Sequence, residues 1–109
     1  MITNVIHNAW SVNFSSRLSS FEDQISGVRK LIDAAASADH TVNFLCMSSI
    51  GVADGWDPTA GSVPEHELDI ATPELAAGMG YTASKYVMEQ VWHSLFLIRC
   101  AVDYLCRRS

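Results

Sequence analysis

The run TVNFLCMSSIGV, residues 41–52, does most to narrow what this chain can fold into. From Val42 to Met47 it is apolar except for Asn43, and it stops at paired serines and a glycine. Near-continuous hydrophobicity over so few residues, closed by a turn signal, fits a strand of a parallel sheet covered on both faces.

Upstream, ITNVIHNA gathers Ile2, Val5 and Ile6 into a short β-branched run that finishes near Asn8, a second buried strand. The polar loop SVNFSS follows. From about Leu18 to Ala36 the apolar positions Phe21, Ile25, Val28, Leu31, Ile32 and Ala35 recur at the helical period, with Ser20 placed to cap. Residues 51–64, GVADGWDPTAGSVP, are dense in Gly, Pro and Asp and read as a long loop, and PELAAGMG as a short turn or helix. Beyond Thr82, Val87, Val91, Leu95, Ile98, Val102 and Leu105 recur at spacings of three and four. One long amphipathic helix to the end is the simplest reading, with LFLIRCA as a strand the alternative. The order strand, helix, strand, loop, helix is half of an α/β sandwich.

At 109 residues the chain suffices for one small domain. Its net charge of −5 and seven scattered Lys and Arg exclude the basic stripe of a nucleic-acid binder. Cys46, Cys100 and Cys106 form no CxxC and, with His7, His40, His66 and His93, no zinc-ligand spacing; they read as reduced thiols of a cytoplasmic protein, with no metal. The N-terminus carries no basic region leading into an apolar stretch, so no signal peptide is expected. The apolar tail is broken by His93, Arg99 and Asp103, which argues against a membrane span.

The chemistry concentrates in MGYTASKYVMEQV, residues 79–91, where Tyr81 and Lys85 lie one helical turn apart and share a face. A Tyr-x-x-x-Lys alone arises often by chance. Here it follows a strand ending at Ser48-Ser49, with another strand ending in HNA further upstream. The set VIHNAW, VNF, GVRKLID, FLCMSSIGV and GMGYTASKYVMEQV resembles the extended short-chain dehydrogenase/reductase superfamily. Within it, the set looks most like the thioester reductase, or "male sterility" NAD-binding, domain of fungal adenylate-forming reductases and nonribosomal peptide synthetases. The resemblance covers roughly residues 2–91, leaving 92–109 as a divergent helical tail.

That resemblance implies an incomplete Rossmann-like fold, a slice of a doubly wound parallel sheet, forming a single partial reductase domain over residues 1–109. It implies NADP(H) as cofactor and an acyl thioester, on a carrier protein or CoA, as substrate, reduced to an aldehyde or alcohol. Tyr81 would donate the proton, Lys85 would favour the phenolate and hydrogen-bond the nicotinamide ribose, and Ser49 would hold the substrate oxygen. Asn8 and Ala9, at the end of their strand, would line the cofactor crevice. Each residue has a plainer alternative: Ser48 and Ser49 as strand-end partners of backbone groups, His7, Trp10 and Trp56 as packing residues, Glu89 as a solvated helix face.

The sequence departs from the family's pattern in three places. The glycines, at 27, 51, 55, 61, 78 and 80, form no TGxTGxxG turn to cradle a pyrophosphate. Gln24 stands where the family's helix carries an Asn with a proton-relay role. After Gln90 the resemblance fades. The expectation is therefore a central slice of a reductase, carrying the catalytic triad without the phosphate site. The alternatives are an inactive fragment, or a small interaction module self-associating through exposed strand edges.

Overall fold

The computed structural model describes residues 1–63 and 73–108. Two short strands, β1 (Asn4–His7) and β2 (Asn43–Cys46), pair in parallel with Val5 opposite Phe44 and Ile6 opposite Leu45. Backbone bonds from Asn43 N–H to Thr3 O (2.9 Å) and from Met47 N–H to His7 O (3.0 Å) carry the ladder one step beyond each end. The connection between them is α1 (Glu22–Ala36), entered through a 3₁₀ turn at Leu18–Phe21. After β2 come 3₁₀ turns at Ile50–Ala53, Pro58–Ala60 and Pro73–Ala76, and then α2 (Gly80–Arg108). This is a partial Rossmann-like α/β arrangement, in the expected order.

Several local expectations need correction. Ser20 caps nothing: the 3₁₀ turn runs straight into α1, whose N-cap is Phe21, and Ser20 N–H bonds back to Arg17 O. Of the helical stripe foreseen on α1, Phe21, Val28 and Ala35 are buried, two turns apart each, while Leu31 is exposed. The sheet is covered on one face among the described residues. Val5, His7, Phe44 and Cys46 point inward and are half-buried, whereas Ile6 (70% exposed) and Leu45 (53%) face out. The continuous apolar pattern of β2 thus describes a strand equipped for cover on both sides, with one side covered here.

In α2 the helix continues through LFLIRCA to Arg108, so the strand alternative for that segment does not hold. Its deeply buried positions are Thr82, Ser84, Lys85, Tyr86 and Met88, whereas Val87, Val91 and Leu95 are half-buried. The side chains of Ile98, Val102 and Leu105 lie outside the described residues. The helix therefore turns a partly polar face inward, against the apolar-face reading of its sequence.

Two glycines permit the close packing of α2. A Cβ at Gly80 would lie 2.2 Å from Ser16 O and 2.6 Å from Leu18 N, so the first turn of α2 rests on the backbone leading into α1. A Cβ at Gly51 would lie 2.4 Å from Thr82 Cγ2. Thr82 in turn donates to Ala76 O (2.7 Å) and Met79 O (3.0 Å), fixing the approach to the helix. Beneath the long loop a small core of Val52, Ala53, Ala76 and Tyr86 forms, with Trp56 packed on it. Among the described residues no helix is long and apolar enough to cross a membrane.

Candidate active site

Because the strands are parallel, their C-terminal ends lie at one edge of the sheet, and the Met47 N–H to His7 O bond joins them there. Asn8 and Ala9 leave that edge from β1, both exposed; Ser48 and Ser49 leave it from β2, both half-buried. The first turns of α2 cross the same edge, presenting Tyr81, Ser84, Lys85, Met88 and Glu89 at the i, i+3, i+4, i+7, i+8 spacing of one helix face.

Lys85 is the centre of this junction. Its side chain is buried, with 3% of the residue exposed. Nζ donates to Met47 O at 2.7 Å, the first carbonyl past β2, and stands 4.6 Å from the centroid of the Trp10 ring. Burial lowers the Lys85 pKa from its ordinary value, and the negative charge available at Cys46 and Glu89 partly opposes that. Cys46, at the inner end of β2, shows the reciprocal effect. Burial pushes its thiol up to about 11, with Lys85 pulling the other way.

Tyr81 is half-buried. Its ring meets Phe14 edge-on at 5.2 Å and Phe21 at 6.3 Å, so its orientation is set by two aromatic walls. Ser49 has extended backbone geometry (φ −141°, ψ 142°), and its Oγ accepts from Gly51 N–H at 3.2 Å, capping the 3₁₀ turn at Ile50–Ala53. A hydroxyl that accepts in this way keeps its own hydrogen for a second acceptor, such as a carbonyl oxygen. Both readings of Ser49, as a cap and as a donor, are thus chemically compatible.

The structure therefore brings Lys85 onto the Met47–Ser49 segment directly, and Tyr81 to the same edge through their shared helix. Lys85 Nζ bonds Met47 O rather than the Tyr81 ring system. Two neighbours read as bland in the sequence, Trp10 and Glu89, are built into this junction, together with Ser84. Trp10 donates from Nε1 to Ser84 Oγ (3.1 Å), and Ser84 donates to Tyr81 O (2.6 Å). Glu89 is half-buried and accepts from the hydroxyl of Ser48. The signal for Glu89 was available: it lies one turn beyond Lys85 on the same face. Trp10 carried none, since nothing in the sequence ties a residue beside β1 to a helix 74 positions away. His7 and Trp56 are packing residues: His7 meets Trp10 edge-on, and Trp56 donates to Gly61 O within its own loop. Gln24 Oε1 accepts from Ser11 N–H at 2.6 Å, which ties down the segment after β1.

The groups that could hold the nicotinamide end of a dinucleotide are the exposed residues Asn8 and Ala9, a hydroxyl at Ser49, a phenol at Tyr81 and an ammonium at Lys85. They include no glycine-rich turn for the pyrophosphate.

The chain is similar in sequence to known proteins over most of its length. The chain is 44% identical over 93 residues to an adenylate-forming reductase of Serpula lacrymans, covering 83% of this chain and 8% of that protein. It is 43% identical over 91 residues to a carboxylic acid reductase of Neurospora crassa, covering 84% of this chain and 8% of the other. A non-reducing polyketide synthase of Emericella nidulans is 38% identical over 96 residues, covering 84% and 4%. The chain thus spans a small fraction of each relative's length. Residues 1–100 match the NAD-binding family described as "Male sterility protein", a stretch that holds both strand ends and the Tyr81–Lys85 turn. To that family, of nicotinamide-dinucleotide-binding domains, this chain belongs.

Proposed function

We propose that this chain carries the catalytic edge of an NADP(H)-dependent reductase acting on an acyl thioester, held on a carrier protein or on CoA, to give an aldehyde or alcohol. The observation that carries the reading is Lys85: a buried ammonium one turn from Tyr81, pinned to the Met47 carbonyl just past β2, two residues before Ser49. A lysine is rarely buried without a task, because desolvating an ammonium is unfavourable. The relatives' own names, a carboxylic acid reductase and adenylate-forming reductases, support the substrate class.

The chemistry supplied by a reduced nicotinamide, when bound, is hydride donation to the substrate carbonyl. Ser49 donates its free hydroxyl hydrogen to that carbonyl oxygen, orienting it and stabilising the charge that develops there. Tyr81 delivers the proton from its phenol, held between Phe14 and Phe21. Lys85 places a fixed positive charge one turn from that phenol and offers its remaining N–H groups to a ribose hydroxyl. Asn8 and Ala9 form the open floor of the crevice.

The test is a chimaera in which this sequence replaces the matching segment of the Neurospora crassa carboxylic acid reductase. The chimaera should consume NADPH in a substrate-dependent manner, and Tyr81→Phe should lower turnover by about 10²–10⁴-fold with little change in cofactor affinity. Near-normal turnover in Tyr81→Phe would remove Tyr81 as proton donor.

A second reading, self-association, is favoured by the outer sheet face, where Ile2, Ile6, Leu45 and Met47 are all exposed. Sedimentation at rising concentration distinguishes it: a monomer throughout the micromolar range excludes it.

A further inference from the structure

We infer that Trp10 is a positioning residue for Lys85. Its indole clamps the lysine ammonium at the C-terminal edge of the sheet and locks the first turn of α2 in the same grip. The role of Lys85 in catalysis rests on the function proposed above; the clamp itself does not.

The inference stands on four contacts that converge on one ring. The face of the indole lies 4.6 Å from Lys85 Nζ, inside the range of a cation–π interaction. Nε1–H donates to Ser84 Oγ at 3.1 Å, so the ring's edge is tied to the residue preceding Lys85. Phe21 stacks against it (10° between planes, 6.5 Å between centroids) and His7 meets it edge-on at 6.2 Å. The indole is thus held by the end of β1 and by the 3₁₀ turn before α1, while it holds two adjacent residues of α2. Because Ser84 passes its own hydrogen to Tyr81 O (2.6 Å), the same chain of bonds reaches the backbone of Tyr81.

The physical need is plain. A buried ammonium with one carbonyl partner retains N–H groups and charge that water no longer serves. The face of an indole carries negative electrostatic potential and stabilises the cation without competing for its hydrogens. Those hydrogens remain for a ligand, whereas a carboxylate in the same place would bind them. Among the described residues, the titratable groups near Lys85 are Cys46 from β2 and Glu89 and Tyr81 from α2, while His7 at the end of β1 meets the indole edge-on.

The experiment reads Lys85 itself in the 109-residue chain. The sequence has two lysines, and Lys30, exposed on α1, serves as the internal reference. Both are labelled with an amine-acetylating reagent across a pH series and quantified by peptide mass spectrometry, which gives a titration midpoint for each. In the unmodified chain Lys85 should label more slowly than Lys30, with the lower midpoint. Biosynthetic replacement of tryptophan by fluorinated tryptophan weakens the ring face without changing its shape, and should lower the Lys85 midpoint further. Trp10→Leu should lower it by about one pH unit, and Trp10→Phe by less, while Lys30 stays fixed. A merely space-filling Trp10 predicts the opposite sign, since its loss would hydrate Lys85 and raise the midpoint toward that of Lys30. If Trp10→Leu loses its helical circular dichroism, the fluorinated chain and Trp10→Phe decide. The clamp is overturned by a Lys85 midpoint that is unmoved or raised in those forms, or by a Lys85 that labels like Lys30 in the unmodified chain. Failure of the reductase reading is seen separately, in the Tyr81→Phe chimaera.

Discussion

Replacing Gly80 by alanine sets two physical effects against each other, and the structure decides between them. On helix propensity alone the change should help, because alanine is favoured over glycine in a helix by about 0.5–1 kcal/mol. Yet the added Cβ would stand 2.2 Å from Ser16 O and 2.6 Å from both Arg17 C and Leu18 N. Those are backbone atoms entering the 3₁₀ turn, which cannot swing aside as the tip of a flexible side chain would. Overpacking of this kind costs about 1–3 kcal/mol. Net destabilisation of about 1–2 kcal/mol follows, or a fall in Tm of roughly 4–16 °C for a domain of this size.

Gly27 supplies the control. It lies inside α1 with nothing within 4 Å of a Cβ, so Gly27→Ala should gain the propensity term unopposed, raising Tm by roughly 2–8 °C. Thermal unfolding followed by circular dichroism, at one protein concentration for all forms, measures both. The pairing matters for the site as well as the fold. Gly80 precedes Tyr81, so relief of the clash by backing α2 away would carry Tyr81 from the Phe14 and Phe21 walls. A Gly80→Ala protein stabilised as much as Gly27→Ala would refute the close approach of α2 on which the site depends.

Two further outcomes test the electrostatics and the cofactor site. With its thiol pushed up to about 11, Cys46 should resist iodoacetamide at pH 8 and react appreciably only in strong alkali, as peptide mapping would register; fast alkylation at pH 8 contradicts its burial. Calorimetric titration of the 109-residue chain with NADPH or NADH should give no saturable heat below millimolar concentration. One or two charged hydrogen bonds of about 1.5–3 kcal/mol do not offset an association cost of about 4–15 kcal/mol, and the chain has no glycine-rich turn for the pyrophosphate; micromolar binding would reveal a phosphate site elsewhere in it.

What was legible in the sequence was whatever one stretch of chain determines alone. Apolar runs ending in HNA and SSIG gave two strands within a residue of their ends, and the period of three and four gave α1 and α2. The Tyr81–Lys85 turn was legible for the same reason. Contacts across elements were not. Hydrophobicity placed Val87, Val91 and Leu95 on the inner face of α2, but the helix buries Thr82, Ser84 and Lys85, because Gly51, Trp10 and Met47 O respectively receive them. Ser20 has a capping residue's chemistry but lies inside a helical run that starts two residues earlier. Glu89 looked solvated until Ser48 was brought to it by the end of β2.

The inward-facing lysine also leaves a thermodynamic trace that requires no cofactor. In the folded chain burial holds the Lys85 pKa below its ordinary value of 10.5, so the unfolded chain binds the Lys85 proton more tightly. Stability rises with pH wherever the unfolded state holds more protons. The desolvation penalty on Lys85 is therefore present in full below its folded pKa and is relieved as pH climbs from there to 10.5. Cys46 titrates in the same region and opposes the trend, because a raised thiol pKa removes stability as the unfolded thiol ionises. A Cys46→Ala background eliminates that term. It also takes away a group that holds the Lys85 pKa up, so the sign for Lys85 is reinforced. Urea unfolding of Cys46→Ala and of Cys46→Ala with Lys85→Met, compared across the alkaline range, isolates the lysine, since all other groups cancel in the difference. The form retaining Lys85 should gain on the Met form steadily as pH rises toward 10.5, then level off. A difference that is flat with pH would mean Lys85 is solvated in the folded chain. A difference that falls would mean its cation is net stabilised there, and the inner face of α2 would then owe more to the Trp10, Met47 and Glu89 contacts than to exclusion of water.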